Sequence, residues 1–335
     1  MVDPIIVVDR LAKEFPGGIK AVRGVSFDVA PKEIFGFLGP NGAGKSTTLG
    51  MLTTQLRPTG GRATIEGLDV LEHPREIRQR IGLVFQESTA DDELTGRENL
   101  ELSAALYAVP RGETQGRIDR LLSSLKLEDS AGRLVKTYSG GMRRRLEIAA
   151  GILHTPHVLF LDEPTIGLDP QGRAGIGTYI RELRDKFGVT VFVTTHYLEE
   201  ADQLCDRIAI IDHGEIRAIG TPSELKERLG GDVVTLTLRE EGADLTSAFR
   251  AVPGVLDVQR QDGRYRLKTA RGEAIVADAV KCCLDAGAPL ATVAVKRPSL
   301  DEVFLEFTGR EYREEEGPSA ADVAMRMNQW RGRRP

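Results

Sequence analysis

Short apolar runs separated by polar and glycine-rich punctuation dominate the first two thirds of the chain. Residues 5–8 and 25–29 are brief apolar runs on either side of a glycine-rich turn, which predicts antiparallel strands. Denser apolar runs at 34–38, 81–85, 157–161 and 189–193 read as buried strands, with a lesser strand at 63–65. Helical spacing appears at 46–52, at 99–107 and at 110–127, where Ile118, Leu121, Leu122 and Leu125 share one face; a further helix is expected over 174–186. Residues 209–212 and 215–219 form an expected hairpin around His213-Gly214. Beyond a break at Gly230-Gly231, runs at 233–238, 255–260, 264–268 and 290–295 alternate with helical stretches at 245–250 and 273–284. That order, β-α-β-β-α-β, allows a small ferredoxin-like α+β domain. A short helix follows near Leu300, and from Thr308 the chain turns polar, with opposite-sign clusters at 314–316 and 331–334 around Trp330. Disorder is expected there.

With 335 residues, 41% hydrophobic and 28% charged, the chain has room for about two domains. The expected division is a larger domain over 1–230 with a helical subdomain at about 87–145, an accessory domain over 231–309, and a tail from 310 to 335. A net charge of -5 gives no overall attraction to nucleic acid or acidic membranes, so no nucleic acid partner is expected. Cys205, Cys282 and Cys283 lack metal-ligand spacing and suit a reducing compartment. There is no signal-peptide pattern and no uncharged run of about 18 residues, so neither secretion nor a membrane span is expected.

The densest chemistry follows the run at 34–38. Residues Gly39, Pro40, Asn41, Gly42, Ala43, Gly44, Lys45, Ser46 and Thr47 contain the phosphate-loop pattern G-x-x-x-x-G-K-[ST], placed between a strand and a helix as the pattern requires. Glycines let the backbone N–H groups approach one anion, Lys45 sets a cation on the outer phosphates, and the Ser46 hydroxyl reaches Mg²⁺. Phe15, just ahead of this loop, could stack on adenine, although a plain core or turn aromatic is the default reading until the later motifs are counted. Gln86, at a strand end, can ligate Mg²⁺ or orient water without altering charge. Asp162 and Glu163 close a buried strand, a costly position for two carboxylates unless a cation or proton transfer needs them. Asp162 would hold Mg²⁺ and Glu163 would polarise water. His196, at the next strand end, can donate to a γ-phosphate. Ser139 suits a helix N-cap ahead of Gly140 and Gly141, and the arginines at 143–145 read either as a solvated basic face or as one meeting an acidic partner or nucleotide.

Together these residues resemble the ATP-binding cassette (ABC) ATPases. Gly39 to Ser46 is similar to the family's Walker A, Gln86 to its Q-loop, Ser139-Gly140-Gly141 to its signature, Asp162-Glu163 to its Walker B pair, Gly167-Leu168-Asp169 to its D-loop and His196 to its switch histidine. Tyr138 and Met142 stand where the usual signature has Leu and Gln, and Phe15 where the family stacks a tyrosine on adenine. The string from Tyr138 to Leu146 and the later Arg-Pro-Ser-Leu-Asp-Glu-Val-Phe resemble the daunorubicin-resistance subfamily of drug-export ATPases.

The resemblance implies a P-loop, RecA-like α/β core with antiparallel β and helical subdomains, and a homodimer that binds ATP and Mg²⁺ between its cassettes. It implies Glu163 as general base, His196 and Lys45 on the γ-phosphate, and Ser46, Gln86 and Asp162 around Mg²⁺. Ser139, Gly140 and Gly141 would complete the partner's nucleotide site. A separate integral-membrane permease would seat its helices near residues 87–137, placing this subunit on the cytoplasmic face of the membrane. Export of a drug, antibiotic or lipid-like compound is the implied function. The competing class is a soluble cassette ATPase acting on ribosomes or DNA, disfavoured because this chain has neither tandem cassettes nor a long coiled-coil insertion.

Overall fold

The structure is a computed structural model describing residues 3–228, 231–239, 244–261, 264–296 and 299–308. The expected break at Gly230 and the expected disorder of residues 310–335 lie outside the described residues, as do Arg297 and Pro298.

A six-stranded sheet holds the site. In spatial order its strands are Glu215–Gly220, Arg207–Asp212, Ile34–Leu38, Thr190–Thr195, Val158–Asp162 and Ile81–Val84, all parallel except the antiparallel first edge. Alternation decides its two faces. Phe35, Phe37, Phe160 and Phe192 point one way and pack with Phe27, whereas Ile34, Leu38, Leu159, Leu161, Val191 and Val193 point the other way toward the helices. The phenylalanine face is covered by a four-stranded sheet of Ile19–Val29, Ile6–Phe15, Gly60–Ile65 and Leu68–Asp69. Its hairpin realises the expected antiparallel strands, and Phe15 lies at a strand end, paired with Ile19.

Several boundaries shift for local reasons. The helix expected from 99 begins at Gly96, because Thr95 and Glu98 form a reciprocal capping box. The helix expected from 174 begins at Pro170, with Asp169 as its N-cap accepting from the Gly172 N–H at 2.8 Å. The strand expected to reach Phe85 ends at Val84.

The chain from 232 to 296 forms a separate sheet in the order Val255–Gln261, Arg264–Thr269, Asp232–Leu238, Leu290–Lys296, with every pairing antiparallel. Helices Thr246–Arg250 and Gly272–Asp285 complete the β-α-β-β-α-β order of a ferredoxin-like unit, closed around Phe249, Tyr265 and Leu267. The helix Leu300–Thr308 leaves this sheet. It buries Leu300, Val303 and Phe304 in the same cluster as Leu198, Leu204 and Leu225 of the large domain. Phe304→Ala should therefore cost about 3–5 kcal/mol in the unfolding of the large domain itself. Denaturant unfolding of the full chain measures it, and a loss below about 1 kcal/mol would mean the helix is no part of that core.

Candidate functional site

Strand register gathers the candidate residues. Leu38 is level with Thr195, Thr194 with Asp162, and Leu161 with Val84. The segments beginning at Gly39, His196, Glu163 and Phe85 therefore leave the sheet along one carboxyl edge, where open α/β sheets bind ligands.

The phosphate loop is built by close approach. Gly44 has φ +108°, and a Cβ there would meet the Ala21 carbonyl oxygen at 2.6 Å. That contact seats the loop against the strand Ile19–Val29, whose hairpin ends in Phe15, half-buried with the Lys13 ammonium 5.2 Å from its ring centre. Within the loop, the Ala43 N–H donates to the Pro40 carbonyl and the Gly39 N–H to Thr195. Asn41, Gly42 and Ser46 are exposed at the rim, with Thr47 half-buried behind them. Lys45 is 4% exposed, and its ammonium donates to the carbonyls of Gly39 at 2.7 Å and Pro40 at 3.2 Å.

The same ammonium lies 3.1 Å from Glu163 Oε1, while His196 Nδ1 lies 3.0 Å from Glu163 Oε2. One buried carboxylate thus joins the phosphate loop to the strand-end histidine. Burial alone would raise the Glu163 carboxyl, but the His196 hydrogen bond and the Lys45 charge outweigh it and hold the group below its ordinary range. Asp162 goes the other way: burial raises it more than the Thr194 hydroxyl, donating at 2.5 Å, lowers it. The Ser46 hydroxyl lies 3.4 Å from the same Asp162 oxygen. Adjacent carboxyls whose environments push them apart are fitted to different tasks. Glu163 also has φ +46°, an uncommon conformation for a residue with a side chain, held by its N–H donating to the Thr194 carbonyl and hydroxyl.

Gln86 lies two residues beyond Val84 at the same sheet edge, with its side chain exposed. Ser139 caps the helix Gly140–Ile152, accepting from the Met142 N–H at 3.3 Å. With Gly140, Gly141, Gly167, Leu168 and Asp169 it lines an open groove of about 660 Å³ to which no phosphate-loop residue contributes. Signature and phosphate loop of one chain therefore face different spaces. Tyr138 is buried with its hydroxyl donating to the Ser130 carbonyl at 2.7 Å, and Met142 packs on the core.

The three arginines of this helix have different surroundings. Arg143 pairs with Asp92 at 2.6 Å, Arg145 donates to the carbonyls of Gly141 and Leu125, and Arg144 is buried against the end of the strand carrying Asp162. Only Arg144 departs from both sequence readings; Arg143 and Arg145 are half-exposed, and Arg145 lines the groove beside Ser139. Two further groups escaped sequence reasoning. Glu200, its carboxyl raised by burial, accepts from the Thr195 hydroxyl at 2.5 Å, which in turn accepts from the Tyr197 N–H at 2.9 Å. Arg173 stacks 4.1 Å over the Tyr197 ring. Both brace the loop that carries His196; the acidic residue four positions beyond the histidine was the available signal.

The ABC transporter family profile matches residues 22–166, and that of the ATP-binding protein DrrA1-3-like C-terminal domain matches 220–308. The daunorubicin resistance ATP-binding protein DrrA3 of Streptomyces coeruleorubidus is 45% identical over 94% of this chain and 99% of its own. The daunorubicin/doxorubicin resistance ATP-binding protein DrrA of Streptomyces peucetius is 43% identical over 87% and 89%. Among solved structures, the ATP-binding cassette MJ0796, a dimer in a post-hydrolysis state bound to ADP and Pi, superposes with a TM-score of 0.58 at 28% identity, covering 65% of this chain and 98% of its own.

Proposed function

The chain belongs to the ABC transporter ATPases, in their daunorubicin-resistance branch, and from that premise we propose that it is the ATP-hydrolysing subunit of an exporter for a drug, antibiotic or lipid-like compound. The observation that carries the catalytic part is Glu163, held between Lys45 and His196 at the carboxyl edge of the sheet.

Residues 1–230 act as the cassette and 231–309 as an accessory unit. Phe15 stacks on adenine, and residues 39–47 wrap the phosphates. Lys45 neutralises the outer phosphates, His196 donates to the γ-phosphate, and Glu163 accepts the proton of the attacking water. As the water oxygen bonds to the γ-phosphorus, the bond to the β-γ bridging oxygen breaks and ADP leaves. Among the described residues no group of three or more His, Cys, Asp or Glu side chains is placed to hold a metal. Mg²⁺, in contrast, is commonly held by one or two carboxylates together with substrate phosphates. Asp162 and the Ser46 hydroxyl, 3.4 Å apart, fit that donor set, with Gln86 as a neutral third ligand. Bound there, the ion would offset phosphate charge.

Because the signature groove is separate from the phosphate loop, a second copy supplies Ser139, Gly140 and Gly141 to each nucleotide. ATP closes this homodimer, and loss of phosphate opens it. No helix among the described residues is long and apolar enough to cross a membrane. The chain's likeness to ATP-binding subunits of drug-resistance systems supports a separate permease, seated near residues 87–137, with this subunit peripheral on the cytoplasmic face. Sedimentation of the Glu163→Gln protein tests the composite site. ATP with Mg²⁺ should convert monomer to dimer, and a further Ser139→Arg change should abolish the conversion. A protein that stays monomeric with saturating ATP at tens of micromolar would contradict the arrangement.

A further inference from the structure

Arg144 sits on the helix Gly140–Ile152, five residues beyond Ser139, and its side chain is directed into the protein with 7% of its surface exposed. A guanidinium carries five N–H donors in a rigid fork. Here they meet five acceptors. Nε donates to the Pro164 carbonyl at 2.7 Å; Nη1 donates to the Phe85 carbonyl at 2.6 Å and to Glu147 Oε2 at 2.9 Å; Nη2 donates to the carbonyls of Asp162 at 3.1 Å and Glu163 at 3.4 Å. Glu147, also buried, balances the charge and accepts from the Ser88 hydroxyl at 2.5 Å.

The targets are consecutive carbonyls on both sides of Glu163 and the carbonyl immediately before Gln86. The carbonyls of Asp162, Glu163 and Pro164 come to one guanidinium across a turn in which Glu163 has φ +46°. Such a conformation persists where its surroundings over-determine it. Arg144 supplies that determination from the helix side, and the helix is seated closely: a Cβ on Gly82 would lie 2.1 Å from the Gly151 carbonyl oxygen.

We propose that Arg144 is a positioning residue for ATP hydrolysis, fixing the backbones of Glu163 and Gln86 to the helix that carries Ser139. This rests on Glu163 being the general base. The helix that meets the partner's nucleotide is thereby fastened to its own chain's base and Q-loop, so a displacement at one site is carried to the other. Lysine retains the charge but has three donors and no planar fork, so it cannot hold both backbones.

The test compares Arg144→Lys, the paired apolar replacement Arg144→Met with Glu147→Met, and Glu163→Gln, all in the full-length chain. Single-turnover hydrolysis, ATP affinity and thermal unfolding are measured for each. Removing both buried charges together avoids leaving a charge unpaired; it also frees the carbonyls of Phe85, Asp162, Glu163 and Pro164 from their donor, so thermal unfolding identifies any loss of fold. The expected result is a 10- to 100-fold slower hydrolysis step in both Arg144 variants, since misplacement by about 1 Å can cost 10²-fold. ATP affinity should stay within about threefold of wild type, with Arg144→Lys still folded. Wild-type hydrolysis in a folded Arg144→Lys protein would overturn the proposal, as would a loss confined to ATP affinity. If Glu163→Gln itself turns over at the wild-type rate, the assignment of the base has failed, whatever the Arg144 variants do.

Discussion

Glu163→Gln is expected to bind ATP as the wild type does and to hydrolyse it about 10²- to 10⁴-fold more slowly, the usual contribution of a positioned general base. The amide has nearly the size of the carboxylate and can still hydrogen-bond within the pocket between Lys45 and His196. What it loses is basicity. In the native site the carboxylate is kept ionised by the His196 hydrogen bond and the Lys45 charge against the opposing effect of burial. An amide has no electron pair basic enough to take the water's proton. The pair of readouts matters: nucleotide titration for affinity and phosphate release for turnover. Wild-type-like phosphate release from the variant would remove Glu163 from the role of base.

Lys45→Ala should lose most of its ATP affinity. The ammonium is already inside the loop, donating to the carbonyls of Gly39 and Pro40, so it needs no large search to reach a phosphate. Charge-assisted hydrogen bonds of this kind contribute about 1.5–3 kcal/mol, which corresponds to roughly a 10- to 100-fold weaker Kd for the truncated side chain. Calorimetric titration measures it, with far-ultraviolet circular dichroism to establish that the variant is folded. Unchanged affinity in a folded variant would contradict the phosphate-loop assignment.

The parts of the site legible in the sequence are those fixed by local rules. A glycine-rich loop between an apolar strand and a helix, two carboxylates at the end of another apolar strand, and a histidine at the end of a third each announce themselves by type and spacing. Parallel register then brings the strand ends together without further information. Arg144 was harder to see because periodicity treats charge as a mark of the solvent side. Its signal was present: Arg144, Glu147, Ile148 and Gly151 share one helical face, and opposite charges at i and i+3 on a buried face can neutralise each other. A surface pair has the same spacing, so only the packing against Gly82 and the strand ends separates the two readings. The early end of the strand Ile81–Val84 has the same origin, since the Phe85 carbonyl is taken by Arg144. The helix Leu300–Thr308 was visible as amphipathic, but amphipathicity does not say which domain receives the apolar face.

The exporter reading depends on a partner that this chain must recruit. The direct measurement is purification of tagged Glu163→Gln protein from its own cells in mild detergent with ATP and Mg²⁺, followed by identification of what accompanies it. A polytopic membrane protein is expected at a stoichiometric ratio, with its recovery falling when surface residues between 87 and 137 are changed. Recovery of ribosomal or chromosomal partners with no membrane protein would contradict the exporter reading and assign the ATPase to a soluble machine.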